Sequence, residues 1–226
     1  MIANERENNN LSNVVVESFE NEAIEAPFVE KIEVAYQELR AIIPTLPEKL
    51  KVVFGTNYEY GDDGVTGSAI AADAIKVGIK PDMENRSVQF EKIRSLIFHE
   101  GYHVAQGFYL DGPGFSALES AVYEGCATIF EREYTDSTPK WADYSSENET
   151  ALRRWYDEMK DITAEQYFEP TGETWKKWAF YDPETGESWR IYKVGTWLVE
   201  RVIAKTNVDI ADLSTSTANE ILGMLE

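Results

Sequence analysis

Ser95-Leu96-Ile97-Phe98-His99-Glu100-Gly101-Tyr102-His103-Val104-Ala105 decides how the rest of the chain is read. Asn85 or Ser87 is placed to cap a helix over about 88–107, and Gly112–Phe115 forms the loop beyond it. Residues four apart share one helix face, so His99 and His103 present their imidazoles side by side. Two imidazoles at that spacing can bind one zinc ion, and Glu100, next to the first, can reach water at the metal. These are the only two histidines in the 226 residues. Two histidines placed at random in such a chain fall four apart about 1% of the time, and a Glu at a given place adds a factor of about 0.1. Accident is therefore a poor account of His-Glu-Gly-Tyr-His.

A catalytic zinc site needs a third protein ligand and one open position. No third histidine exists, and Cys126 is the single cysteine. Cys126 reads as a small buried thiol. A carboxylate from another helix is expected instead. The next helix, at about Ser116–Tyr134, offers Glu119, Glu124, Glu131 and Glu133. Glu124 is preferred because small residues follow it in Glu124-Gly125-Cys126-Ala127, which lets this helix approach the histidine-bearing one closely. Glu119 is its competitor, and each of the four can equally be part of a solvated acidic face. A tetrahedral intermediate opposite the metal also needs a donor, which here must be Tyr, Arg, Lys or a backbone amide.

Outward from this centre, Leu50–Gly55 reads as a strand, and Ser68–Ala72 and Ala74–Ile79 as short strands or one bent strand. Asn57–Gly67 is a glycine-rich loop without phosphate-loop spacing. Apolar steps of three to five from Val14 to Ile43 predict one or two amphipathic helices, broken near Ala26-Pro27. Residues 1–13 are polar and read as a disordered lead-in, with 14–226 as one domain. Helices are predicted at Glu149–Lys160, Trp189–Lys205 and Ser216–Leu225, with an irregular loop around Pro170–Gly186. Within that loop Trp175, Trp178, Phe180 and Tyr181 either line a groove or pack the core. The fold class is α+β: a small N-terminal sheet, the histidine-bearing helix, then a mainly helical C-terminal part. The strand at Ile75–Ile79 is expected to be an edge that can take an extended peptide by strand addition.

Lys and Arg total 21 against 41 Asp and Glu, a net charge of −20. Such a chain repels phosphate and anionic headgroups, which excludes nucleic-acid binding and disfavours membrane surfaces. No apolar run is long enough to span a bilayer. The N-terminus as written has no basic and apolar leader, so no signal peptide is expected there, although a mature secreted domain with an added Met would look the same.

The residues also resemble a known group. H-E-x-x-H followed about twenty residues later by a helix with E-G-x-A is similar to the gluzincin class of zinc metallopeptidases, and more narrowly to the bacterial family described as predicted zinc-dependent proteases. The resemblance spans about 50–222 and includes Gly67-Ser68-Ala69-Ile70, Ile75-Lys76-Val77-Gly78-Ile79, Glu124–Ala127 and Tyr192-Lys193-Val194-Gly195-Thr196-Trp197. It implies a zincin-like fold and one Zn²⁺ per chain on His99, His103 and Glu124. It further implies Glu100 as general base and hydrolysis of a peptide or protein substrate. It places the helix of Tyr192 beside the cleft, so Tyr192 becomes the expected oxyanion donor, with Arg190 as runner-up. The sequence departs from related zincins at Cys126 and Thr128, where larger apolar and acidic residues often stand, and the partners that orient the histidines are not identified by it. Two other readings share the motif: a zinc amidase or esterase acting on a non-peptide bond, and a zinc-binding scaffold that recognises a partner without turnover. The intact Glu100 speaks against the second.

Overall fold

Val14-Val15-Val16 is where the sequence reading first fails. Three β-branched residues in a row favour an extended chain over a helix. In the structure, a computed structural model describing residues 13–18, 23–56, 63–112 and 114–226, Val14–Ser18 is strand β1. The helix expected there begins only at Ala26. It is α1 (Ala26–Ile42), with Pro27 in its first turn, where the missing N–H removes no helical bond. The proposed lead-in lies, except for Asn13, outside the described residues, as does residues 57–62 of the glycine-rich loop.

Strands β2 (Leu50–Gly55), β3 (Val65–Ala71) and β4 (Ala74–Ile79) complete a four-stranded sheet in the order β1-β2-β4-β3. β1, β2 and β4 run parallel, with Val14 opposite Leu50 and Lys51 opposite Ala74. β3 is antiparallel to β4, with Val65 opposite Ile79. This corrects one expectation: Ile75–Ile79 belongs to an inner strand, with β2 on one side and β3 on the other, and the edges are β1 and β3. A central strand reads as apolar as an edge strand does, so composition alone cannot order them.

Helix α2 (Arg86–Gln106) packs on α1 and on β3, and stops at Gly107, which adopts φ 73°. The chain then turns back along the sheet edge, where the amides of Leu110 and Asp111 donate to the carbonyls of Ala69 and Ile70 at 3.1 and 3.0 Å. This clamps β3 against α2. Helix α3 (Ala117–Tyr134) starts with a capping box in which Ser116 and Glu119 satisfy each other's backbone amides.

The C-terminal part contains α4 (Glu149–Met159), α5 (Ala164–Tyr167), α6 (Glu173–Ala179), α7 (Arg190–Thr206) and α8 (Ala218–Gly223). α6 takes up Glu173–Ala179 of the irregular loop expected at 170–186. Its seven residues are too few for a periodic signal. The closest helix crossing is that of α3 with α7. A Cβ on Gly125 would sit 2.2 Å from the carbonyl carbon of Gly195, and one on Gly195 would sit 1.8 Å from the Ala121 oxygen. Gly125 therefore admits α7, not α2 as the sequence suggested. The glycine of α2, Gly101, instead makes room for Leu39 of α1, whose Cδ2 would lie 2.2 Å from an added Cβ. No helix among the described residues is long and apolar enough to cross a membrane.

Candidate metal centre

Five consecutive residues of α2 point in four directions and meet four different parts of the fold. His99 and His103 face α3. Glu100 faces the sheet edge, and Gly101 faces α1. Tyr102 faces the C-terminal turn at Ile210–Thr215, where its hydroxyl donates to the Ile210 carbonyl at 2.7 Å. The advance of about 100° per residue along a helix makes this division unavoidable. All five are buried.

His99 Nε2 and His103 Nε2 lie 3.1 Å apart, and each is 3.3 Å from Glu124 Oε2. The three atoms form a nearly equilateral triangle. Ligands about 2.0–2.1 Å from a tetrahedral zinc ion stand about 3.3 Å from one another, so the triangle has the size of one face of such a site. Two imidazole nitrogens and a carboxylate oxygen turned toward one point are the donor set that a divalent cation such as zinc takes. His99, His103 and Glu124 therefore fit a divalent metal as they stand, and they form the one such group among the described residues. Cys126 is not in it. Burial holds that thiol neutral, its pKa pushed up to about 12.

The charges around the group act strongly on one another. Burial opposes the Glu124 carboxylate, yet the imidazoles of His103 and His99 outweigh it and draw Glu124 down to about 2. Burial likewise opposes a charged His99, but hydrogen bonds to Glu124 and Glu131 and the nearby Glu100 hold it well above the ordinary histidine range. Glu100 is raised, chiefly by burial and against the pull of the two histidines. Its Oε2 accepts from the Ala69 amide at 2.8 Å, and its Cγ and Oε1 lie over Gly67, where a Cβ would come within 2.9 and 3.1 Å. Gly67 thus clears the space in which the Glu100 carboxyl sits.

Glu131, one helical turn before the end of α3, accepts from His99 Nδ1 at 3.0 Å. A carboxylate on the far nitrogen fixes the tautomer of a metal-binding imidazole and leaves Nε2 as the donor to the ion. Sequence reasoning named Glu131 only as one of four acidic candidates. The available signal was its spacing: it follows Glu124 by seven residues, two turns along the same face. Glu119 is occupied elsewhere, its carboxylate accepting from Ser116 N and Oγ at 2.8 Å each.

Tyr192, half-buried on the first turn of α7, is carried to this centre by the Gly125–Gly195 crossing three residues later. Burial, and the carboxylates of Glu124 and Glu100, raise its hydroxyl well above 10. Buried Tyr167, on α5, is likewise raised by burial and by Glu124, and nothing in its local sequence pointed to the site. Arg190 is placed differently. Its Nη2 donates to Asp182 Oδ2 at 2.9 Å and to the Lys177 carbonyl at 3.0 Å, and its guanidinium lies 3.9 Å over the Trp178 ring. Those contacts tie it into the loop behind Trp189.

A family model described as predicted Zn-dependent protease (DUF2268) matches residues 29–223. The chain belongs to that family. No curated protein and no solved structure matches it. The zinc dependence that this predicted Zn-dependent protease family implies agrees with a buried His-His-Glu group of the right size.

Proposed function

We propose that the chain is a gluzincin-type metallopeptidase that hydrolyses peptide bonds with one zinc ion. The observation that carries this reading is the triangle of His99 Nε2, His103 Nε2 and Glu124 Oε2 with the Glu100 carboxyl beside it. A bound zinc ion supplies a Lewis acid and brings the pKa of water toward about 7. His99, held by Glu131, and His103 would each offer one ring nitrogen to the ion, and Glu124 one carboxylate oxygen. Glu100 is the general base. The Ala69 amide fixes its Oε2, which leaves Oε1 to take a proton from the attacking water and to return it to the leaving amine. Burial raises the Glu100 pKa, which suits a group that must both accept and release a proton. Tyr192 stays protonated at neutral pH and donates to the oxygen of the scissile carbonyl as negative charge gathers there.

The test is elemental mass spectrometry on protein loaded with zinc and desalted, followed by digestion of an unbiased peptide library. One zinc per chain and cleavage are expected. Glu100→Gln should keep the zinc and lose about 10²–10⁴-fold in rate. Tyr192→Phe should keep it and lose about 10²–10³-fold in kcat. No retained zinc, or full turnover by Glu100→Gln, would overturn the assignment. A zinc-loaded protein that cleaves small esters or amides but no peptide would move the reading to the non-peptide hydrolase.

A further inference from the structure

Four aromatic rings form one continuous path from the surface to the metal centre. Trp175 meets Phe180 at 5.0 Å between ring centroids, Phe180 meets Trp189 at 5.5 Å, and Trp189 meets Tyr192 at 6.0 Å. Every step is edge to face, with interplanar angles of 84°, 79° and 66°. The outer two rings are exposed, Trp175 at 36% and Phe180 at 38%, and the inner two are half-buried. Single exposed apolar side chains are ordinary on a protein surface. An unbroken row that ends at a reactive centre is not.

Two further observations show that the row is built and held. Trp189 adopts φ 61° and ψ 30°, the left-handed region that glycine or asparagine occupies at little cost and a bulky side chain rarely enters. Strain of this kind collects at ligand-binding positions. Beneath the row the backbone is pinned: the Trp189 amide donates to the Phe180 carbonyl at 2.8 Å, and Arg190 is locked onto Asp182, Lys177 and Trp178. The backbone that carries Phe180 and Trp189 is therefore held in place.

We infer that Trp175, Phe180 and Trp189 form the specificity wall of the cleft, and that it selects peptide substrates carrying a bulky apolar or aromatic side chain near the scissile bond. The inference rests on the peptidase reading. The occupant follows from continuity with the centre: Trp189 adjoins Tyr192, the proposed donor to the scissile carbonyl. It follows also from chemistry, since an uncharged row of ring faces and edges is matched by apolar side chains. At about 3.3 Å per residue, an extended segment of roughly four or five residues spans the three steps.

The test uses zinc-loaded Glu100→Gln protein as a non-turning-over trap. Two degenerate nonapeptide pools, identical except for Phe or Ala at the central position, are titrated and followed by calorimetry. The Phe pool should bind about 10-fold tighter. In the same background, Trp175→Ala and Phe180→Ala, both at exposed rings, should each cut that preference to less than about 3-fold. Equal binding of the two pools, or a preference that survives both substitutions, would overturn the inference. So would a concentration-dependent dimer of the wild type, seen in sedimentation, that Trp175→Ala dissociates, because the row would then be a contact between copies of this chain. Library digestion by the wild type is read separately. Its failure with the Phe preference intact would sink the peptidase reading and leave the wall standing.

Discussion

Glu131 touches no other ligand of the triangle, yet it decides what His99 can do. With its carboxylate 3.0 Å from Nδ1, the imidazole is held as the tautomer whose Nε2 faces His103 and Glu124. Removing such a partner typically costs 10–100-fold in metal affinity. Glu131→Ala should therefore weaken zinc binding by about that factor, measured by competition with a chromogenic chelator. Glu119→Ala is the control: it should leave zinc affinity alone and cost about 1 kcal/mol through loss of the capping box. Equal zinc affinity in wild type and Glu131→Ala would remove the positioning role. At this scale the sequence was legible where chemistry is local. His99, Glu100 and His103 are recognisable because helical spacing alone brings them together. Glu124 and Glu131 needed the face of α3 that meets α2. Four acidic residues on one helix look alike until a neighbour selects a face.

The crossing of α3 and α7 does the corresponding work for elements. Gly125 and Gly195 bring two backbones into contact, and this brings Tyr192, one turn before Gly195, within the field of the Glu124 carboxylate. The sequence showed the small residues but not their partner, because a glycine admits whichever helix lies opposite. Gly195→Ala would place a methyl group 1.8 Å from the Ala121 oxygen, so the helices must separate. Overpacking of this severity costs roughly 3 kcal/mol, or about 6–12 °C in Tm for a chain of this length. Calorimetry checks it, and an unchanged Tm would contradict the close crossing. The loop before α7 depends on charge instead. Asp182 is fully buried, and burial opposes its ionisation, but the Glu184 amide, Thr185 and Arg190 outweigh this and hold it below its ordinary 3.8. A lowered folded-state pKa gives stability that is present above about 3.8 and is lost as pH falls through the folded value. Wild type should lose stability below about pH 4. Asp182→Asn should be weaker near neutrality, where Arg190 keeps only the longer 3.4 Å contact to Glu187, and should lose less on acidification. Parallel denaturation profiles from pH 6 to 3 would show that the pair contributes nothing.

The molecule as a whole combines a conventional apolar core with a surface carrying a net charge of −20. Its α+β plan was readable because strands at 50–79 and helices after them differ in period, and because glycine and proline mark the joints. β1 was not readable: Val15, Phe19 and Ile24 fall at helical steps of four and five, and only the pairing of Val14–Ser18 with β2 shows that the chain is extended there. The charge was fully legible, and it has a consequence for turnover. On the peptidase reading, each encounter with substrate would take place in the field of a polyanion, which attracts cationic peptides and repels anionic ones. The field's range shrinks from about 10 Å in 0.1 M salt to about 3 Å in 1 M. A peptide flanked by Lys or Arg should therefore lose at least about threefold in kcat/KM over that range, mainly through KM, because the screened term is long-range attraction and not the chemistry at Glu100. A neutral peptide of the same core sequence should change by less than about twofold, since it carries no net charge for that field to act on. Paired kinetics at the two salt concentrations decide the matter. If both peptides respond alike, the acidic surface serves solubility alone, and selection rests with the groups that line the cleft.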